Sequence, residues 1–312
     1  MIARPWKHSA SLVALLILGT GTPVAAAYLQ RLANGSLAVR KPTSDSTQLT
    51  NLPRGNPKML QAREGQLRIT VLYDNYSHDP RMQTGWGFAA LIEYRDRTIL
   101  FDTGADAPTL LANMRALAID PRRIEAVALS HAHGDHTGGL AGLLEAGARP
   151  AVHLLPSFPS SFIRQIQATV TVTEVTLGQQ IGEGVFTTGE VSGTIPEQAL
   201  IVDTELGLVL VTGCAHPGVL EMIERASALR GKKVNLVLGG FHLRGKSTAE
   251  LQAIVAAFRR LGVEKVAPCH CTGDPAIQMF RDEYLDNFVP VGVGRIVVVG
   301  SGEESGRLQL RS

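Results

Sequence analysis

The chain has 312 residues, 45% hydrophobic and 19% charged, with a formal net charge of +2. This balance supports a folded protein with a large core and excludes a disordered chain. No stretch interleaves Lys or Arg with aromatic residues, which argues against nucleic acid as a partner. The three cysteines, Cys214, Cys269 and Cys271, are too few and odd in number for a disulfide framework.

In chain order, the first signal is an N-terminal leader. Arg4 and Lys7 precede an apolar run, and the small residues Ala25–Ala27 follow Pro23. This order reads as a signal peptide over residues 1–27, cleaved after Ala27. The alternative is an uncleaved membrane anchor, since apolar residues persist from Ser9 to Leu29. Either way the folded part is expected outside the cytoplasm, in the periplasm or another extracytoplasmic space. Membrane contact would be made only through that segment. Residues 28–66, rich in Pro, Ser and Thr, read as a linker or arm, and residues 67–312 as one folded domain.

From Leu67 the pattern changes. "LRITVLYD", "AALIEY" and "TILFDTG" are short strand candidates, "APTLLANMRALAI" is a helix, and "IEAVALS" is a strand that leads into "HAHGDHTGG". After it, "TGGLAGLLEAG" has helical spacing and "AVHLL" reads as a strand. A second group follows: strands "GVFTTGEV", "QALIVDT" and "GLVLVTG", a helix with Pro217 near its first turn and a stop at Gly231, and strand "VNLVLGG". A helix capped by Ser247 facing Glu250 and stopped at Gly262 comes next. Strand "VEKVAP", helix "DPAIQMFRDEY" and strand "GRIVVVG" close the chain. Two groups of meandering strands, each passing into strand–helix alternation, predict an α/β (α+β) protein. Its two mixed sheets pack face to face with helices outside, an αββα sandwich.

His131, His133, Asp135 and His136 fall within six positions. A spacing of two brings side chains together only on extended backbone, so His131 and His133 project the same way from a strand end. Gly134 then turns the chain and Asp135 and His136 open the next element. A polar loop with locally bonded histidines is the bland alternative for any one of these residues. Four donors together point to a metal site. His216, His242 and His270 each follow an apolar strand in the same way. His216 and His270 are expected as ligands, and His242 as a group orienting substrate or a bound water. Each cysteine lies beside one of these histidines, and Cys214 joins the candidate ligand set. His153, within a strand, reads as structural. Imidazole and carboxylate suit one or two divalent ions: zinc, with iron, manganese or magnesium as alternatives.

These residues resemble the metallo-β-lactamase fold superfamily, whose H-x-H-x-D-H signature stands at His131, His133, Asp135 and His136. The preceding "FDTG" also matches, which implies that Asp102 buttresses the ligands from behind; a helix cap or turn is its alternative role. "VLYDNYS", "TGCAHPG", "GGFHL" and "PCHCTGDPAIQMFRDEY", with "VGVGR", resemble a narrower branch over about residues 67–300. This is the branch of 7,8-dihydropterin-6-ylmethyl-4-(β-D-ribofuranosyl)aminobenzene 5′-phosphate synthase. The resemblance implies a metal centre at the sheet edge. It also implies a reaction in which a ribosylated aminobenzene displaces diphosphate from a dihydropterin-methyl diphosphate. Two departures stand out. Cys214 occupies the place of the superfamily's bridging aspartate, and no histidine lies between His153 and His216.

Three functions follow. The first is a metal-dependent transferase of this branch, acting on a phosphorylated or heterocyclic small molecule. The second is a metallo-hydrolase of an ester, lactone or phosphodiester. The third is a metal- or redox-responsive binding protein using Cys214, Cys269 and Cys271. In both enzymatic readings Asp135 ligates a metal and orients the nucleophile, with His242 beside the substrate.

Overall fold

The computed structural model describes residues 65–300 and the backbone of Gln309–Leu310. The chain divides into the units Met1–Pro57 and Lys58–Ser312, and all described residues lie in the second. The expected export signal and nearly all of the polar arm lie outside the described residues. No helix among the described residues is long and apolar enough to cross a membrane.

The domain opens with three antiparallel strands, β1 (Leu67–Tyr73), β2 (Ala89–Tyr94) and β3 (Arg97–Phe101). Then β4 (Ala126–Ala128), β5 (Ala151–Leu154) and β6 (Val172–Glu174) add in parallel. β13 (Ile296–Val299) returns beside β1, and β14 (Gln309–Leu310) beside β13. The second sheet runs from β7 (Gln180–Gly182) through β8 (Val185–Thr187) and β9 (Leu200–Thr204) to β10 (Gly207–Thr212), all antiparallel. β11 (Val234–Gly240) and β12 (Lys265–Cys269) extend it in parallel.

Alternation along the strands builds three layers of core. Leu67, Ile69 and Val71 of β1 face Val209, Val211, Leu236 and Leu238 of the second sheet, forming the interior between the sheets. On β10 the intervening Leu208 and Leu210 face the other way, onto α5 (Val219–Arg230), α6 (Thr248–Arg260) and α7 (Asp274–Tyr284). Behind the first sheet, α1 (Ala107–Ala116), α3 (Leu140–Glu145) and α4 (Ser160–Gln167) bury Leu110, Met114, Leu143 and Ile163. This is the expected αββα sandwich.

Two local expectations are corrected. The helix read after the histidine motif is split into α2 (Gly134–Thr137) and α3. Gly138 lies against Ala105, where a Cβ would stand 1.9 Å from the carbonyl oxygen, so packing rather than periodicity sets the break. α5 begins at Val219 behind a Gly218 cap, so Pro217 precedes the helix instead of opening its first turn. The capping box of α6 forms as read: Glu250 N–H donates to Ser247 Oγ, and Ser247 N–H to Glu250 Oε2 at 2.8 Å. Ser247→Ala should lower stability by about 1 kcal/mol in chemical denaturation, the usual size of a lost N-cap.

Candidate metal centre

All the donor-bearing loops leave the C-terminal ends of β3, β4, β10, β11 and β12. Six imidazoles meet there: His131, His133, His136, His216, His242 and His270. Neighbouring rings in this group lie 4.2–5.1 Å apart between centroids. Two triplets have donor atoms within 4.8 Å of one another, His131 with His133 and His216, and Asp135 with His136 and His270. Cys214 forms a third group with His131 and His136, its Sγ 3.2 Å from His136 Nε2. His153 sits on β5 outside all of these groups.

The turn that carries the motif is pinned by backbone. Phe88 N–H donates to Asp135 O at 3.2 Å and Thr103 N–H to His136 O at 2.7 Å. Asp102, fully buried, accepts from Ser130 N–H at 2.7 Å and from Ser130 Oγ at 2.8 Å. Its Oδ2 lies 2.7 Å from His136 Nδ1, an arrangement that leaves His136 Nε2 free to face Asp135 and Cys214. The cap of α1 is Asp106, so Asp102 has no capping role there.

Sequence reasoning missed two supporting residues. Asn75 Oδ1 lies 3.0 Å from His270 Nδ1 and orients that ring, leaving Nε2 3.4 Å from Asp135 Oδ2. Glu197, fully buried before β9, accepts the N–H groups of Cys214, Ala215 and His216, each at 2.9 Å. It thereby shapes the loop carrying two candidate ligands. The polar pair Glu197–Gln198 ahead of an apolar strand was the one available signal.

Backbone strain gathers at this edge. Among the described residues, four of the seven non-glycine residues with positive φ are Asp102, Ala215, His242 and His270, one after each of β3, β10, β11 and β12. Each such conformation costs about 1–3 kcal/mol and persists only where surrounding structure enforces it.

The electrostatics keep His131 and His216 as electron-pair donors. Burial and neighbouring imidazoles push His131 far below its ordinary range, and the same causes lower His216 to about 4, so both are neutral at pH 7. Burial also opposes a charge on His136, yet Asp102 holds it up at about 9, a basic imidazole that carries a proton at pH 7 which a bound ion would displace. Asp135 falls to about 2; the bond with His270 and the charge of His136 outweigh its burial. Burial lifts Glu197 to about 7.

A divalent ion fits this donor set. The buried Nε2 atom of His216 has no hydrogen-bond partner, an omission worth about 1–3 kcal/mol if nothing else takes the lone pair, and His270 Nε2 has only the Asp135 carboxylate at 3.4 Å. Imidazole, carboxylate and thiolate are all donors to zinc-like ions.

Asp74, next to Asn75, is fully buried; Oδ1 accepts from Tyr76 N–H at 3.2 Å while Oδ2 has no partner. Burial raises its carboxyl to about 6 from 3.8. The folded state therefore holds a proton there that the unfolded chain has lost. The resulting stability is full below about pH 4 and disappears as pH rises through about 6. Urea denaturation near pH 4 and near pH 7 should show that wild type loses about 3 kcal/mol more than Asp74→Asn across this interval.

Beside His270 a cavity of about 460 Å³ is lined by Asn75, Trp86, Arg244 and Lys246. Trp86 is 48% exposed, with its ring 5.0 Å from that of His270. The Arg244 guanidinium lies 5.6 Å from the Trp86 ring centroid.

Comparison with known proteins agrees with this architecture. Residues 86–160 match the family model of the metallo-β-lactamase superfamily. The 7,8-dihydropterin-6-methyl-4-(β-D-ribofuranosyl)-aminobenzene-5′-phosphate synthase of Methanocaldococcus jannaschii is 30% identical over 282 residues, covering 74% of this chain and 96% of that protein. A crystal structure of a metal-dependent hydrolase of the β-lactamase superfamily aligns with a TM-score of 0.63 at 30% identity, over 74% of this chain and 98% of the other. A diphosphatase of the PhnP family shares the fold, with a TM-score of 0.53 at 16% identity over 75% of this chain and 97% of the other. The chain belongs to the metallo-β-lactamase superfamily, in the branch of the dihydropterin-ribofuranosylaminobenzene phosphate synthase.

Proposed function

We propose that this chain is a divalent-metal-dependent enzyme that displaces diphosphate from a phosphorylated heterocyclic small molecule. The observation that carries this reading is the pair of donor triplets, His131–His133–His216 and Asp135–His136–His270, opening beside a cavity with an indole face and two cations. Bound divalent ions would supply Lewis-acid stabilisation of charge developing on the leaving diphosphate.

The protein's own groups do the rest. Asp102 and Asn75 fix the orientations of His136 and His270. Asp135, its side chain 21% exposed, holds an ionised carboxylate 3.4 Å from Nε2 of His270, a ring that lines the cavity, and orients the incoming nucleophile. Trp86 offers a planar ring a stacking face, while Arg244 and Lys246 attract phosphate oxygens. Asp135, held at about 2, is too weak a base to keep the attacking amine's proton, which passes to solvent.

The test is to incubate the metal-supplemented full chain with a dihydropterin-methyl diphosphate, with and without a ribosylated aminobenzene phosphate. Diphosphate release that requires the acceptor, with a coupled product, supports transfer. Release at equal rate without acceptor favours the hydrolytic reading. Absence of release in both arms, with turnover of simple phosphodiesters or lactones instead, overturns the proposal.

A further inference from the structure

The loops after β10, β11 and β12 contribute one more donor each, and these three form a group of their own. Cys214, His242 and Cys271 have donor atoms within 4.8 Å of one another, and all three cysteines of the chain are free. The triplets used for the proposed reaction require neither His242 nor Cys271.

The three loops are tied together by the protein itself. Gly240 N–H donates to Gly213 O at 3.1 Å, and Phe241 N–H to Thr272 Oγ1 at 3.0 Å. Thr212 Oγ1 donates to Gly240 O at 2.8 Å. Between the Cys271 thiol and the Cys214 backbone only a glycine fits. A Cβ on Gly240 would stand 2.7 Å from Cys271 Sγ and 3.3 Å from Cys214 Cα. His242 takes a φ of 51°, and Ala215, next to Cys214, a φ of 60°. Both are strained conformations held in place by the surrounding loops. Glu197 holds the Cys214 loop from below through three buried hydrogen bonds.

We propose that Cys214, His242 and Cys271 form a separate thiolate-rich site for a soft divalent cation of the zinc class, sharing Cys214 with the histidine cluster. Two thiolates and one imidazole make a zinc-type donor set that leaves a fourth position for water or substrate. Binding displaces the thiol protons to solvent, so affinity rises with pH. This gives His242 a ligand's role in place of the substrate-side role expected from the sequence. The cation would adjoin the His216 ring, whose centroid is 4.2 Å from that of His242.

Cobalt(II) titration of the full chain under reducing, anaerobic conditions tests this site. Bound-metal stoichiometry and the near-ultraviolet thiolate-to-cobalt charge-transfer band are the readouts. His242→Ala and Cys271→Ser should each lose about one equivalent of cobalt per chain and most of that band. His133→Ala, which removes a donor of the histidine cluster, should keep it. His242 is exposed, so its variant leaves the core intact and decides the matter even if Cys271→Ser folds poorly. Wild-type stoichiometry and band in His242→Ala would overturn the proposal and return His242 to the substrate. Failure of the histidine-cluster reading would appear separately, as undiminished cobalt binding in His133→Ala.

Discussion

Asp135→Asn should lower turnover by about 10²–10³-fold or more while leaving the unfolding midpoint close to wild type. The residue stands where the second donor triplet meets the substrate side, 3.6 Å from His136 Nε2 and 3.4 Å from His270 Nε2. Its carboxylate is ionised throughout the neutral range, held at about 2. Asparagine keeps the shape and one acceptor oxygen but removes the charge that attracts a cation and orients a nucleophile. Losing one electrostatic contact of this kind at a reaction centre typically removes a factor of that size. The side chain is partly exposed, and asparagine's amide oxygen can still face the His270 ring, so the packed core is left as it is. Kinetics and thermal unfolding on the same preparation check both halves. Wild-type turnover in Asp135→Asn would place the reaction elsewhere.

Glu197→Ala should produce the largest stability loss of the variants considered, about 3 kcal/mol or more in denaturant titration. The carboxylate is fully buried and accepts three consecutive N–H groups, and alanine would strand all three. Each unsatisfied buried donor costs about 1–3 kcal/mol, with partial relaxation of the loop reducing the sum. Glu197→Gln retains one acceptor and should fall between wild type and Glu197→Ala. Both variants should bind less metal at subsaturating concentrations, because His216 is the residue whose N–H they release. A Glu197→Ala chain as stable as wild type would mean that the loop finds other partners.

Much of this site was legible in the sequence because it depends on local rules. Short apolar runs bounded by turn residues placed β10, β11 and β12, and the residue after each strand had to lie at one edge of the sheet. His216, His242 and His270 were read from that alone, and the spacing of His131 and His133 demanded extended backbone. The sandwich followed from two groups of meandering strands, each passing into strand–helix alternation. What stayed hidden depends on contacts between distant parts of the chain. Asn75 meets His270 across 195 positions, and Cys271 meets Cys214 across 57. Glu197 is a carboxylate in a buried place, which hydrophobicity alone assigns to the surface. The reading also passed over α4, an amphipathic helix of only eight residues with Ile163 and Ile166 on its buried face. Where reading by position failed outright, at the break between α2 and α3, close packing of Gly138 on Ala105 was the cause.

The central claim is that the histidine–carboxylate cluster at the sheet edge holds divalent metal for chemistry. Elemental analysis of the full chain, isolated without added metal and compared with a His131→Ala/His136→Ala double variant, tests it most directly. The account predicts stoichiometric divalent metal in wild type, loss of the histidine cluster's share from the double variant, and turnover that disappears with chelation and returns when the metal is restored. Turnover by a metal-free wild-type chain, or undiminished metal in a folded double variant, would contradict it.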